Sequence, residues 1–234
     1  MQINPIGIIH SGYKEKFGIP RQPGLAKSML SKLELYPDYA TEEIVRGLEE
    51  CSHVWLVFIF SACVGKGWHP TVRPPRLGGN KRLGVFATRS PFRPNPIGLS
   101  AVKLEKIETH KGKVSLLLSG ADLLDQTPII DIKPYIPYSD SISDAYCHFA
   151  EAFTPLSLPI NFSDTANTQC AIAAKALGID LRNELSEILS CDPRPAYQKA
   201  SDREYGIQLY DYNIRWSIVE NSHIQVISID PIST

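Results

Sequence analysis

Arginine and lysine gather in this chain where proline stiffens the backbone. Residues 69–98 read HPTVRPPRLGGNKRLGVFATRSPFRPNPIG and hold six of the chain's 18 prolines. The stretch carries Arg73, Arg76, Lys81, Arg82, Arg89 and Arg93, and no acid. Proline fixes φ, and the residue before it is pushed to extended geometry, so Pro74-Pro75 and the run from Pro91 to Pro96 make stiff, non-helical loops. Gly78-Gly79 supplies the sharp turn between them. Arginines on rigid loops cost little entropy to hold in place, and their planar forks suit phosphate or carboxylate. Anion recognition is the chemistry on offer.

The acid-free zone is longer than that stretch. Between Glu50 and Glu105 there are eight Lys and Arg and no Asp or Glu. The net charge of the 234 residues is −1, which leaves −9 on the remainder. A polyanion can therefore be drawn to one face of a protein that is not basic as a whole. The five cysteines (51, 63, 147, 170, 191) are odd in number and form no C-x-x-C. That argues against a disulfide framework and a thiolate zinc site, and fits a reducing cytoplasm. The six histidines never fall at ligand spacing, so no metal is expected. No G-x-G-x-x-G follows a strand, and no Walker or G-x-S-x-G pattern occurs. The N-terminus lacks a basic region followed by an apolar core, and the apolar run from Val54 to Val64 is too short to span a bilayer. No membrane partner is expected.

The elements that must position these residues are mostly strands. Apolar and β-branched runs predict strands at 3–10, 53–60, 84–88, 98–107, 113–119 and 128–133. The 53–60 run lacks alternation and reads as buried on both faces, which assigns Trp55, Phe58 and Phe60 to the core. His110-Lys111-Gly112 predicts a tight hairpin, and Thr41 caps a short helix. Many short strands with one helix point to a closed or nearly closed antiparallel barrel over residues 1–139. A Pro- and Ser-rich connector covers 140–159. Beyond it, 160–234 reads as a smaller α+β domain. A helix capped at Asp164 or Thr165 ends at Gly178, a second is capped by Asp180, and strands follow at 205–210, 213–219 and 223–229.

The motifs carry a family resemblance. Pro20-Arg21-Gln22-Pro23-Gly24, Arg73–Asn80, the block from Gly84 to Gly98, and Asp131-Ile132-Lys133-Pro134-Tyr135 resemble the TsaA/TrmO family. Asp192-Pro193-Arg194-Pro195-Ala196-Tyr197 looks like the C-terminal motif of its bacterial two-domain members. The resemblance implies a mainly β fold with a non-Rossmann barrel that binds S-adenosylmethionine. It implies a homodimer with the donor site near the interface. It also implies methyl transfer to N6 of N6-threonylcarbamoyladenosine next to the anticodon of tRNA.

Matched position by position, Pro20, Arg21, Gln22, Arg89 and Leu99 fall on donor-binding positions. So do Ser61 and Ala62, and Asp125, Gln126, Thr127 and Pro128. Gln126 stands where the family writes glycine, and Ser61-Ala62 depart from a His and a polar residue.

An acceptor nitrogen between a purine and a carbamoyl group is a weak nucleophile, so losing its proton helps. Tyr197, Asp125 and Asp131 are the candidates to take it. Arg93 or Arg194 is suited to a threonyl carboxylate. Arg73, Arg76, Lys81 and Arg82 are suited to tRNA phosphates, and Phe92, Tyr197 or Tyr210 to stacking on a splayed base. A non-catalytic RNA-binding barrel would explain the basic loops equally well. A methyltransferase with another small acceptor is the third reading.

Overall fold

Strands build the first unit, and two helices with a smaller sheet build the second. The computed structural model describes residues 2–74, 81–148, 154–194 and 203–232. Strands β1 (Gly7–His10), β2 (Leu30–Leu35) and β3 (His53–Ile59) come first. The short ribbon β4 (Thr71–Val72) with β5 (Leu83–Gly84) follows, then β6 (Ile97–His110), β7 (Lys113–Ser119) and β8 (Thr127–Pro134). Six of these close into a barrel in the order β1-β2-β7-β6-β3-β8, with every neighbour antiparallel. Its interior holds Ile9, Leu33, Val54, Leu56, Val102, Leu116, Leu118 and Ile129.

Several local expectations are met and others are corrected. Lys111 (φ 50) and Gly112 (φ 75) form the two-residue turn between β6 and β7. The mainly β architecture, with a closed antiparallel barrel and a smaller sheet-and-helix unit after it, is the observed one. Strand β3, however, alternates. Val54, Leu56 and Phe58 point inward, while Trp55, Val57 and Ile59 stay half-exposed. A barrel strand has only one inner face, so a continuous apolar run need not be buried twice.

The expected strand at 84–88 stops at Gly84, and Val85–Ala87 is a 3₁₀ turn. The Val85 and Thr88 carbonyls are taken by the Arg93 guanidinium, at 3.3 and 2.6 Å. The turn at Glu42–Val45 is likewise 3₁₀, and the Thr41 side chain does not cap it. Strand β2 escaped the sequence reading, although Leu33 and Leu35 face inward in alternation with Lys32 and Glu34.

A single helical turn α1 (Pro137–Asp140) leads away from the barrel. The second unit contains β9 (Ile160–Phe162), α2 (Asp164–Leu177), α3 (Leu181–Ser190), β10 (Tyr205–Leu209), β11 (Tyr212–Val219) and β12 (His223–Pro231). Its sheet order is β10-β11-β12-β9, with β9 added in parallel at the edge. Ser163, one residue before the expected cap, accepts from the Ala166 amide at 3.0 Å. Asp180 caps α3 as expected, accepting from the Asn183 amide at 3.1 Å. Gly178 ends α2 at φ 70.

The core of this second unit is shared. Trp216, Ile207, Leu209, Leu185 and Ile188 pack with Tyr13, Ala26 and Met29, which lie between β1 and β2. The Tyr210 amide donates to the Gly12 carbonyl at 2.7 Å. The Gln208 amide donates to Glu15, and the Ser28 amide and hydroxyl both donate to Glu187, all at 2.8 Å. The loop joining the first two barrel strands is thus gripped by the C-terminal sheet and by α3.

Glu184 of α3 is buried in that grip and accepts from the Tyr210 hydroxyl at 2.9 Å. Burial lifts its carboxyl from 4.5 to about 7, against the Tyr210 hydrogen bond and with help from Asp180 and Glu187. The native state therefore favours the proton. The resulting stability is full below about pH 4.5 and is lost as pH rises through about 7. Glu184→Gln imitates the protonated form. It is expected to raise the melting temperature by about 4–8 °C near pH 8, from roughly 2 kcal/mol, and to leave it almost unchanged near pH 4. Thermal melts at the two pH values check this.

Candidate active site

A cleft of about 740 Å³ opens beside the barrel, within the range of small-molecule sites. Four chain segments far apart in sequence form it. The loop between β1 and β2 brings Lys16, Pro20, Arg21 and Gln22. The end of β3 and the turn after it bring Phe58, Phe60, Ser61, Ala62 and Cys63. The proline-stiffened segment brings Arg89 and Arg93, and the start of β6 brings Gly98, Leu99 and Ser100. Asp122, Leu123, Thr127, Trp55 and Tyr135 complete the wall.

Eight of the eleven expected donor-binding positions line it: Pro20, Arg21, Gln22, Ser61, Ala62, Arg89, Leu99 and Thr127. An Arg89 Nη1–H donates to Gln22 Oε1, which ties the first loop to the third. Arg21 Nη2 donates to the Arg194 carbonyl at 3.2 Å. The guanidinium of Arg194 is buried and forks onto Asp192, at 2.7 and 3.1 Å. Arg194 therefore faces Asp192 and not solvent, and its backbone carbonyl holds Arg21 of the β1–β2 loop. Arg93 is also turned inward, with its charge over the Phe86 ring and its N–H groups on backbone carbonyls. Sequence reasoning could not separate these inward arginines from exposed ones. Arg73, Lys81 and Arg82 do face solvent, at the end of the β4–β5 ribbon where β4 stops and β5 begins. Arg76 and Tyr197 lie outside the described residues.

The remaining loop positions are placed differently. Asp125 accepts from the Ser11 amide at 2.9 Å and pairs with Lys14 at 2.6 Å. Burial pushes its carboxyl up, but these partners outweigh it and hold it below the usual range. Gln126 adopts φ 62, the left-handed backbone that its expected glycine would take without strain. Its amide nitrogen meets His10 Nδ1 at 3.1 Å, outside the cleft. Pro128 pairs with Ile8 in the barrel ladder. Asp131 forms an ion pair with Lys133 at 2.8 Å and accepts from the Ile132 amide. It is paired at the strand end and does not line the cleft. Tyr210, expected among the stacking aromatics, is bonded to Glu184 in the shared core.

Trp55, Ser100 and Asp122 are among the wall residues that sequence reasoning missed. Trp55, assigned to the core, stands half-exposed with its indole N–H on Asp140 at 2.9 Å and its ring 5.5 Å from Tyr135. Ser100 Oγ donates to Asp122 Oδ1 at 2.6 Å. Burial raises the Asp122 carboxyl above the usual range, while the Ser100 bond and the Arg89 charge oppose the rise. The available signal was an acid set among apolar residues, in Gly120-Ala121-Asp122-Leu123-Leu124.

Aromatic and aliphatic walls beside a cluster of arginines suit a ligand with a flat apolar part and a carboxylate end. S-adenosylmethionine has both. Arg21, Gln22 and Arg89 would hold the carboxylate, and Phe58, Phe60 and Leu99 would flank the adenine. Among the described residues no three His, Cys, Asp or Glu side chains form a metal-binding group. Nor is any helix among them long and apolar enough to cross a membrane.

Comparison with known proteins agrees with this geometry. Residues 8–141 match the tRNA-methyltransferase O N-terminal domain, and residues 155–232 match the TrmO C-terminal domain. The chain is 44% identical over 232 residues to tRNA (adenine(37)-N6)-methyltransferase of Escherichia coli, covering 98% of each chain. It is 44% identical over 228 residues to a putative S-adenosylmethionine-dependent methyltransferase, RcsF, of Pseudomonas aeruginosa, covering 97% and 96%. A solved structure of TrmO from Pseudomonas aeruginosa superposes with a TM-score of 0.81 at 38% identity, over 98% of this chain and 97% of that one.

Proposed function

This chain belongs to the tRNA-methyltransferase O family, and on that premise we propose that it methylates N6 of N6-threonylcarbamoyladenosine beside the anticodon of tRNA. The coarser activity is that of a tRNA (adenine(37)-N6)-methyltransferase dependent on S-adenosylmethionine. One observation carries the reading. The cleft unites Pro20, Arg21, Gln22, Ser61, Ala62, Arg89, Leu99 and Thr127 from four segments, and the solvent-facing Arg73, Lys81 and Arg82 precede Arg89 in the chain. An RNA-binding barrel without catalysis has no need of such convergence.

S-adenosylmethionine supplies the electrophilic methyl group. The protein's part is alignment, since an in-line displacement gains most from fixed geometry. Arg21, Gln22 and Arg89 grip the donor's carboxylate end. Asp125 and Gln126 support the same site through the backbone leading to Thr127, with Pro128 in the ladder behind them. Arg93 selects the threonyl carboxylate: it lines the cleft and binds the Val85 and Thr88 carbonyls through Nη1, whereas Arg194 is buried off the cleft with its fork on Asp192.

Arg73, Lys81 and Arg82 bind phosphates, together with Arg76. A second copy closes the cleft. Leu99, which is 54% exposed, and the exposed Ile97 and Phe92 support that contact. Residues 1–139 act as the barrel domain and 160–234 as the tRNA-assisting domain, joined by 140–159. The protein works in the cytoplasm, where its free cysteines stay reduced.

The test is nucleoside mass spectrometry after incubation with labelled donor and two tRNA pools, with and without the threonylcarbamoyl group. A gain of one methyl on that nucleoside, confined to the modified pool, is the expected result. A gain on unmodified adenosine would sink the acceptor assignment, and no gain in either pool would sink the reading. Affinity for tRNA is also expected to fall steeply with salt. Neutralising Arg73, Lys81 or Arg82 should lower the slope of log K against log salt by about one each. Filter binding across a salt series measures it.

A further inference from the structure

We propose that Asp122 is the group that takes the proton from the acceptor N6 as the methyl group arrives. The inference rests on the reaction given above and names a residue for it. Among the described residues lining the cleft, Asp122 is the single carboxylate. Of the acids weighed from the sequence, Asp131 is outside the cleft and Asp125 is held by Lys14. The cleft is otherwise cationic, lined by Lys16, Arg21, Arg89 and Arg93.

Asp122 is also built in. It follows β7 in the loop toward β8, and Ser100 of β6 fixes one oxygen at 2.6 Å. The charged and titratable groups that face it are Arg89, from the proline-rich segment, and Tyr13, from the loop after β1. A carboxylate pinned through one oxygen, in a pocket that partly desolvates it, is a better proton acceptor than one in water. Its position beside Leu99 and Ser100 places it where the donor loop and the start of β6 meet.

The step balances. The N6 lone pair forms the new C–N bond. The electron pair of the breaking C–S bond stays on sulfur, so the cationic sulfonium becomes a neutral thioether. The N6 proton passes to the Asp122 carboxylate, so a positive and a negative charge disappear together. That cancellation is most favourable in a low-dielectric cleft.

Asp122→Asn keeps the shape and the Ser100 contact but removes the basic oxygen. Two measurements on the full chain decide the matter: donor affinity by calorimetry, and single-turnover methyl transfer between about pH 5 and pH 9. The assignment expects a rate loss of about 10²–10⁴-fold, donor affinity within about threefold of the parent, and disappearance of the acidic limb of the pH profile. Ser100→Ala keeps the carboxylate and removes a bond that pulls its pKa down. It should move the acidic limb to higher pH with most of the plateau rate retained.

A large loss of donor affinity with little change in rate at saturating donor would make Asp122 a donor contact and overturn the assignment. An unchanged rate would overturn it as well, as would an acidic limb that survives in Asp122→Asn. The parent enzyme is run on both tRNA pools in the same series. If it methylates only the unmodified pool, the acceptor reading fails while Asp122 is still judged on the pool that reacts.

Discussion

Gly98→Ala is expected to lower the melting temperature by about 5–10 °C and to weaken donor binding in the same variant. Gly98 pairs with Phe58 across β6 and β3. A Cβ there would stand 2.9 Å from Cε1 of the Phe58 ring and closer still to Cε2 and Cζ. The ring cannot yield easily. It packs edge-on against Phe60, with centroids 5.1 Å apart, and is buried in the barrel core. Overpacking of this kind costs about 2–3 kcal/mol, which for a chain of this size corresponds to the stated shift. Because Gly98, Phe58 and Phe60 all line the cleft, the displaced ring narrows the donor site. Phe58→Leu in the Gly98→Ala background should recover part of both losses, giving a coupling that two independent sites would lack. Thermal melts and calorimetric titration on the four variants of that cycle check it. A Gly98→Ala protein that melts within about a degree of the parent would contradict the packing argument.

Arg89→Ala is expected to weaken the donor by about tenfold to a hundredfold. Arg89 reaches across the cleft to Gln22, so its loss removes a charged partner for the donor and the tie between two loops. Charged hydrogen bonds contribute about 1.5–3 kcal/mol, which sets that range. A second effect separates Arg89 from a loop strut. Its charge opposes the burial-driven rise of the Asp122 carboxyl. Removing it should raise that pKa further and shift the acidic limb of methyl transfer to higher pH. Gln22→Ala also breaks the tie between the loops but leaves the charge in place, so it should lower donor affinity without moving the limb. Equal shifts in the two variants would show that Arg89 acts through loop position and not through its charge.

Much of the scaffold was legible locally. Apolar and β-branched runs placed β6, β7 and β8, and Lys111-Gly112 placed the hairpin between β6 and β7. The Asp180 cap and the Gly178 stop bounded the helices, and the prolines kept the basic segment out of regular structure. Motif spacing identified the family and eight residues of the cleft wall. The misses share a cause. Strand β3 reads as doubly buried because a run such as Val-Trp-Leu-Val-Phe-Ile carries no record of which side the barrel closes on. Only closure sends Trp55 outward to Tyr135 and Asp140.

Residue chemistry set the local backbone: where it is extended, where it turns, where it is stiff, and that its loops carry cations suited to anions. These follow from propensities and proline geometry acting within a few residues. The direction each charged side chain faces came from the fold. Arg194 is turned onto Asp192 and Arg93 onto its own loop, while Arg73, Lys81 and Arg82 remain in solvent. Asp122 becomes the cleft's carboxylate, and residues 11–29 join the C-terminal core to hold Arg21 in place. The reason is physical. Burial of a charge depends on packing that only barrel closure and docking of the second unit provide, even where the partner is a sequence neighbour, as Asp192 is for Arg194, and long-range pairings such as Ser11 with Asp125 or Ser28 with Glu187 exist only in the folded chain.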